Sequence, residues 1–313
     1  MRLRAPRLIL AGMAALALGL AGCQATDSTA SPAGGNSSAV LRVVATTTQV
    51  ADFARNVGGD RVQVTQLLKP NVDPHDYEAS PADVQAIATA DLVVKNGVGL
   101  EKFLDDAISS AGFTGTVVDT SAGVEVRPGD AAEKEGDPHI WHDPTNAKIM
   151  VRNIATGFAA KDPAGKASYE ANETRYAAKL DALDTRIRTE IDSIPADQRK
   201  LVTNHDAFGY YIARYKLQFV GSILPLDTSA ELSGKDIADL VAKIKSTGVK
   251  AIFAESSLPP KTAEAIGREA GVTVIQGEDA LYGDTLGPTG SAGGTYLDME
   301  QHNTDTIVRA LRG

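Results

Sequence analysis

Residues 163–194 read PAGKASYEANETRYAAKLDALDTRIRTEIDSI. After Pro163 the stretch holds no second proline, and Tyr176, Leu180, Leu183, Ile187, Ile191 and Ile194 recur at steps of three or four. That period places six apolar side chains on one face of a helix, with Asp162 as N-cap and Pro163 at the first helical position. At 1.5 Å per residue an unbroken helix would run about 48 Å, enough to span two lobes; a break near Gly165 would give a helix pair instead. Short β-branched runs separated by helical patterns flank it on both sides. The first set is LRVVAT (41–46), VQVTQLL (62–68), DLVVKN (91–96) and TVVDT (116–120). The second is KLVTNH (200–205), LQFVGS (217–222), AIFAES (251–256) and VTVIQG (272–277). Strands alternating with helices imply parallel sheets covered on both faces. The expected fold is therefore α/β in two lobes, 40–162 and 195–313, each a mainly parallel four-stranded sheet flanked by helices. One long rigid helix, 163–194, joins them and limits hinge motion.

The amino terminus is of another kind. Residues 1–22 carry Arg2, Arg4 and Arg7, no acid, and an apolar run from Leu8 to Leu20. This is an export signal, too short for the roughly 20 apolar residues that cross a bilayer. It ends in Leu20-Ala21-Gly22-Cys23, which resembles the bacterial lipoprotein cleavage box and implies lipid on Cys23 and its new amino group, a stable anchor. From Cys23 to residue 39 the chain is small, polar and nearly uncharged, a flexible tether. Cys23 is the only cysteine, so the folded part has no disulfide and no thiolate ligand. Without the three arginines of the signal, 28 basic side chains face 40 acidic ones, a formal charge of −12. Such a surface, with no basic patch interleaved with aromatics, excludes nucleic acid as partner.

Five histidines remain to be placed. Open α/β sheets bind ligands beyond the carboxyl ends of their strands. His75 follows the second run within PNVDPHDYEASP, where Ser80, Pro81 and Asp83 spell a capping box. His205 ends the fifth run, and His139 in HIWHDP precedes Asp143-Pro144, an N-cap followed by a first helical residue. The motifs PNVDPHDYEASPAD, DPHIWHDPTNA, VTNHDAFGYYIARY and LYGDTLGPTGSAGGTYLDMEQHNTDTI, in this order, resemble the zinc/manganese solute-binding lipoproteins of bacterial ABC transporters. The resemblance covers residues 41–311. It implies two α/β lobes with a metal buried between them, held by His75, His139, His205 and Asp284. At His142 the chain departs from the family, whose members are usually apolar there. In an extended segment residues three apart point to opposite sides, so with His139 facing the cleft, His142 is expected to face away. Asp143 and Asp206 are candidates to orient imidazoles, though helix capping accounts for them equally. Glu78, Glu231 and Glu255 read as surface charges near strand ends, and His302 as a residue on a solvated helix face.

Three imidazoles and a carboxylate suit Zn²⁺ in a closed tetrahedron. Mn²⁺, which prefers more oxygen, is the alternative, and the absence of a His-rich segment before His139 speaks for it. Four protein ligands leave no position for a reactive water, and there is no HExxH, G-x-S-x-G or phosphate-binding glycine loop, so no enzyme is expected. Nothing positive points to a surface adhesin. The expected protein is a monomer, lipid-anchored at the outer face of the cell membrane, that hands its metal to a membrane permease.

Overall fold

The computed structural model describes residues 40–230 and 233–312. The signal, Cys23, the tether to residue 39 and Glu231 lie outside the described residues. β1 (Leu41–Ala45), β2 (Val62–Gln66), β3 (Leu92–Lys95) and β4 (Thr116–Asp119) form one sheet in the order β2-β1-β3-β4. β5 (Lys200–His205), β6 (Gln218–Leu224), β7 (Ala251–Phe253) and β8 (Thr273–Ile275) form a second in the order β6-β5-β7-β8. Every pairing is parallel, and all eight expected runs are strands. The inner strands β1, β3 and β7 are covered on both faces, which is why they read as near-continuous apolar runs and not as alternation.

Caps spelled in the sequence start two of the helices. In α2 (Pro81–Ala88), Ser80 and Asp83 exchange both capping-box bonds; in α4 (Pro144–Lys161), Asp143 accepts from the Thr145 amide. The linking helix departs from expectation at its start. Pro163–Gly165 is a 3-10 turn, and the α-helix α5 runs Lys166–Asp192, 27 residues or about 40 Å. Asp162 makes no side-chain cap because its carboxylate is taken elsewhere: Arg61 donates to it at 2.7 and 3.0 Å, and the Tyr169 hydroxyl at 2.9 Å. Gly165 packs under the same arginine, where a Cβ would stand 2.4 Å from Arg61 Nε. The buried stripe of α5 is Tyr169, Tyr176, Leu180, Leu183, Ile187 and Ile191, with Ile194 buried just past its end.

That stripe joins the two sheets through a single core. One apolar cluster runs from Val43, Phe53 and Leu92 through Leu180 and Ile187 to Phe208, Phe253, Leu281 and Leu311. Helix α1 (Thr48–Gly58), α6 (Gly209–Tyr215) and the last helix, α9 (Tyr296–Arg312), all pack on α5. Between them the buried Asp52 carboxylate accepts from Tyr176 Oη at 3.1 Å and the Tyr296 amide at 3.3 Å. The sheets therefore share a core along the linker. Leu180→Ala, at a fully buried point of the stripe, is expected to cost about 2–5 kcal/mol in chemical denaturation; a loss under about 1 kcal/mol would mean that the linker is not packed as described.

Candidate metal centre

In each sheet the chain leaves its first strand to one side and returns on the other, so a crevice opens at the carboxyl ends of β1 and β3 and of β5 and β7. The two crevices face each other, and four side chains meet there. His205 is the last residue of β5, and Glu255 follows β7 by two residues. His75 lies in the loop after β2, its amide held by Asp73 at 2.9 Å. The loop carrying His139 is pinned to the end of β3, where Asn96 Nδ2 donates to the Pro138 carbonyl at 3.0 Å. Asp284 sits in the loop before α9, which Gln49 clasps from the opposite lobe by donating to the Asp284 carbonyl at 2.8 Å. Leu286 returns a bond to Thr48 Oγ1 at 2.8 Å.

One ligand atom from each of His75, His139, His205 and Asp284 lies within 4.8 Å of the other three, and all four residues are buried. Three of the separations are shorter: His139 Nε2 to His205 Nε2 is 3.2 Å, His139 Nε2 to Asp284 Oδ1 3.3 Å and His205 Nε2 to Asp284 Oδ1 3.5 Å. Donors about 2.0–2.1 Å from a tetrahedral ion stand about 3.3–3.4 Å apart, so these three already trace one face of such a site. His75 stands fourth, its ligand atom within 4.8 Å of the other three. Neither its ring nitrogens nor the Asp284 carboxylate oxygens make a hydrogen bond among the described residues. Buried polar atoms are rarely left so, and a bound cation would take one nitrogen of His75 and the Asp284 carboxylate.

Each of two imidazoles is set by an acid behind it. His139 Nδ1 lies 2.8 Å from Asp137 Oδ1, and His205 Nδ1 lies 2.9 and 3.0 Å from the two oxygens of Glu255. An N–H on each Nδ1 donating to carboxylate turns the Nε2 lone pair toward the cluster, the tautomer a metal requires. Burial alone would lower the pKa of His139, but the hydrogen bond to Asp137 and the nearby Asp284 carboxylate outweigh it and push the imidazole up to about 10. At His205 burial likewise lowers, and the charges of Asp284 and Glu255 carry it up to about 9. The two Nε2 atoms stand 3.2 Å apart, close enough for one to donate to the other. Asp284 responds in the opposite sense: burial raises its pKa, but the three histidines around it hold it well below the usual carboxylate range. Glu133 stands 3.7 Å from His75 Nδ1 and is itself held by Lys102 at 3.0 Å. Lys102 also reaches Asp227 across the seam at 2.6 Å, close to the bond from Thr228 to Asp73.

The family described as "Zinc-uptake complex component A periplasmic" matches residues 43–310. The chain belongs to this family. It is 36% identical over 301 residues to the manganese-binding lipoprotein MntA of Bacillus subtilis, covering 94% of this chain and 95% of the relative. It is 35% identical over 272 residues to the zinc-binding protein TroA of Treponema pallidum, covering 86% and 88%. The solved structure of the periplasmic zinc-binding protein TroA superimposes with a TM-score of 0.81 at 33% identity, over 87% of this chain and 99% of that one. The family is the one that the order of the four motifs points to.

The structure brings His75, His139, His205 and Asp284 together and leaves His142 outside, though not for the reason expected. Residues Ile140–His142 form a 3-10 turn, not an extended segment, and His142 is kept out because both its ring nitrogens already have oxygen partners. Asp143 caps α4 and pairs with Arg214, and Asp206 hydrogen-bonds no imidazole among the described residues. Glu78 is exposed, as expected. Glu255 is not a surface charge: it is buried behind His205. His302 is part-buried, with Nε2 bonded to the Ala280 carbonyl at 2.9 Å, and not solvated. Sequence reasoning missed Asp137 and Glu133; for Asp137 a signal was present, since an Asp two residues before a His can accept the amide of that His, as it does here at 3.0 Å. Asp137→Asn is expected to weaken metal binding about 10- to 100-fold, because it frees the His139 tautomer. Competition with a chelator of known affinity checks this, and an unchanged constant would refute the role given to Asp137.

Proposed function

We propose that the protein captures Zn²⁺ between its two lobes through His75, His139, His205 and Asp284 and delivers it to the permease of an ABC transporter. Family membership makes the chain the metal-binding, substrate-binding component of such a transporter and not an enzyme. The observation that carries the zinc reading is the spacing of the three near donors, 3.2, 3.3 and 3.5 Å, which suits a small tetrahedral ion. Mn²⁺ prefers more oxygen donors and a higher coordination number than three imidazoles and one carboxylate supply. Manganese is the second reading, favoured by the relatives named for it, MntA of Bacillus subtilis and PsaA of Streptococcus mitis. Metal content after purification without added metal, followed by competition between Zn²⁺ and Mn²⁺, decides between them: a preference for Mn²⁺ at equal free concentrations would overturn the zinc reading.

In this reading the ion exchanges its water shell for the four side chains as the loops bearing His75 and Asp284 draw in, while the shared core along α5 stays fixed. Lipid on Cys23 and the tether to residue 39 keep the protein beside its permease at the outer face of the membrane. Among the described residues no helix is long and apolar enough to cross a membrane. Cys23→Ser is expected to release the protein in soluble form or stall its processing. Wild-type protein recovered soluble, with no lipid by mass spectrometry, would refute the anchor.

Charge sets the pH dependence. The metal-free pair His139 and His205 holds a proton that must leave when Nε2 atoms bind metal. The unliganded state therefore binds more protons than the liganded one, and affinity rises with pH until the raised values of about 10 and about 9 are passed. At pH 7.5 three unperturbed imidazoles would release only about 0.3 proton per metal. With His139 raised to about 10 and His205 to about 9, the release rises to one proton or more. Calorimetric titrations in buffers of different ionisation enthalpy count it, and a release near the lower value would show that the imidazoles are not raised as described.

A further inference from the structure

His142 is fully buried, and each of its ring nitrogens faces an oxygen on a different element. Nδ1 lies 2.8 Å from Glu300 Oε1 on α9, and Nε2 lies 3.0 Å from the carbonyl of Gly283, the residue before Asp284. The ring stacks on Phe208, three residues beyond His205, at 4.5 Å between centroids and 28° between planes. One side chain thus touches the segments that carry His139, His205 and Asp284. Gly283 is crowded from two more sides: Trp141 Nε1 donates to the same carbonyl at 3.1 Å, and a Cβ at Gly283 would stand 1.9 Å from Glu255 Oε2, behind His205. A carbonyl oxygen only accepts, so Nε2 carries hydrogen. Whether the second proton sits on Nδ1 or on Glu300, the bond to Gly283 is kept.

We infer that His142 is a positioning residue that clasps the Asp284 loop through the Gly283 carbonyl and thereby sets how fast the bound metal leaves. The inference rests on the metal-binding reading above, but the clasp itself exists without metal. Its chemistry also says what happens when it is removed. Glu300 is a fully buried carboxylate whose other oxygen, Oε2, has no hydrogen-bond partner among the described residues, so truncating His142 alone would strand a charge in the core. Replacing both partners by apolar side chains avoids that penalty while deleting the bond to Gly283. In Glu300→Gln the new amide can donate to Nδ1, which leaves hydrogen on Nε2 and the clasp intact.

Three proteins therefore separate clasp from charge: wild type, Glu300→Gln and the double variant His142→Phe/Glu300→Leu. Zinc release into excess chelator, followed by stopped flow, is expected to be about tenfold faster in the double variant, the loss of one buried hydrogen bond. Glu300→Gln should stay within about twofold of wild type. In the metal-free proteins, amide exchange across residues 280–286 should rise in the double variant and not in Glu300→Gln, with β5 unchanged in both. Equal release rates and equal exchange in a double variant that still melts cooperatively would overturn the clasp. Should that variant not fold, nuclear magnetic resonance of the wild type decides: a coupling across the hydrogen bond from His142 Nε2 to the Gly283 carbonyl carbon supports the clasp, and an Nε2 without hydrogen refutes it. A wild type that binds no zinc or manganese would sink the metal reading, and the metal-free exchange would still judge the clasp.

Discussion

The Asp284 carboxylate governs this structure. It is fully buried, neither oxygen makes a hydrogen bond among the described residues, and a charge so placed persists only beside an opposite one. The chain surrounds it with three imidazoles and then backs the imidazoles with further acids, Asp137, Glu255 and, at a longer distance, Glu133. The centre is accordingly more acidic than a neutral trio of histidines would make it. A divalent cation is the species that answers this excess. The same acids fix the tautomers, so the arrangement that attracts the ion also aims the lone pairs that bind it.

Rigidity follows from where the core runs. The stripe of α5 merges the apolar faces of both sheets, so wide lobe opening would expose buried surface that includes Leu180 and Ile187. The seam around the site is built differently, from separate polar bonds: Gln49 to Asp284, Leu286 to Thr48, Lys102 to Asp227 and Thr228 to Asp73. The first two of these bonds are buried and the other two part-buried; each polar bond contributes about 0.5–1.5 kcal/mol net, less than burial of one large apolar side chain of the stripe.

The sequence states the parts of this design that obey local periodicity. The eight strands, the stripe of α5 and the caps at Ser80 and Asp143 depend on neighbours a few residues away, and they stand where the pattern puts them. The start of α5 does not, because Arg61, a hundred residues distant, takes the carboxylate that would have capped it. Glu255 and His302 depart from the pattern for a related reason: an acid near a strand end or a histidine on the last helix looks solvent-facing until the fold brings His205 against one and the Ala280 carbonyl against the other. His142 shows the limit most clearly. The expected geometry of HIWHDP was extended and the observed one is a 3-10 turn, yet what keeps the ring from the centre is Glu300 on the last helix, 158 residues away.

Choice of metal is where these local and distant contributions meet. Coordination number is set by how many donors can converge, and here four do, with no fifth or sixth protein donor among the described residues in the cluster. A metal that prefers six oxygens would have to recruit water or a second oxygen of Asp284 at a fully buried site. An ion content with four donors has no such requirement. The relatives of this chain are named for both metals, so the fold by itself does not choose between them. The zinc reading proposed above rests on the third nitrogen donor, His205, which stands at the end of β5 against Glu255.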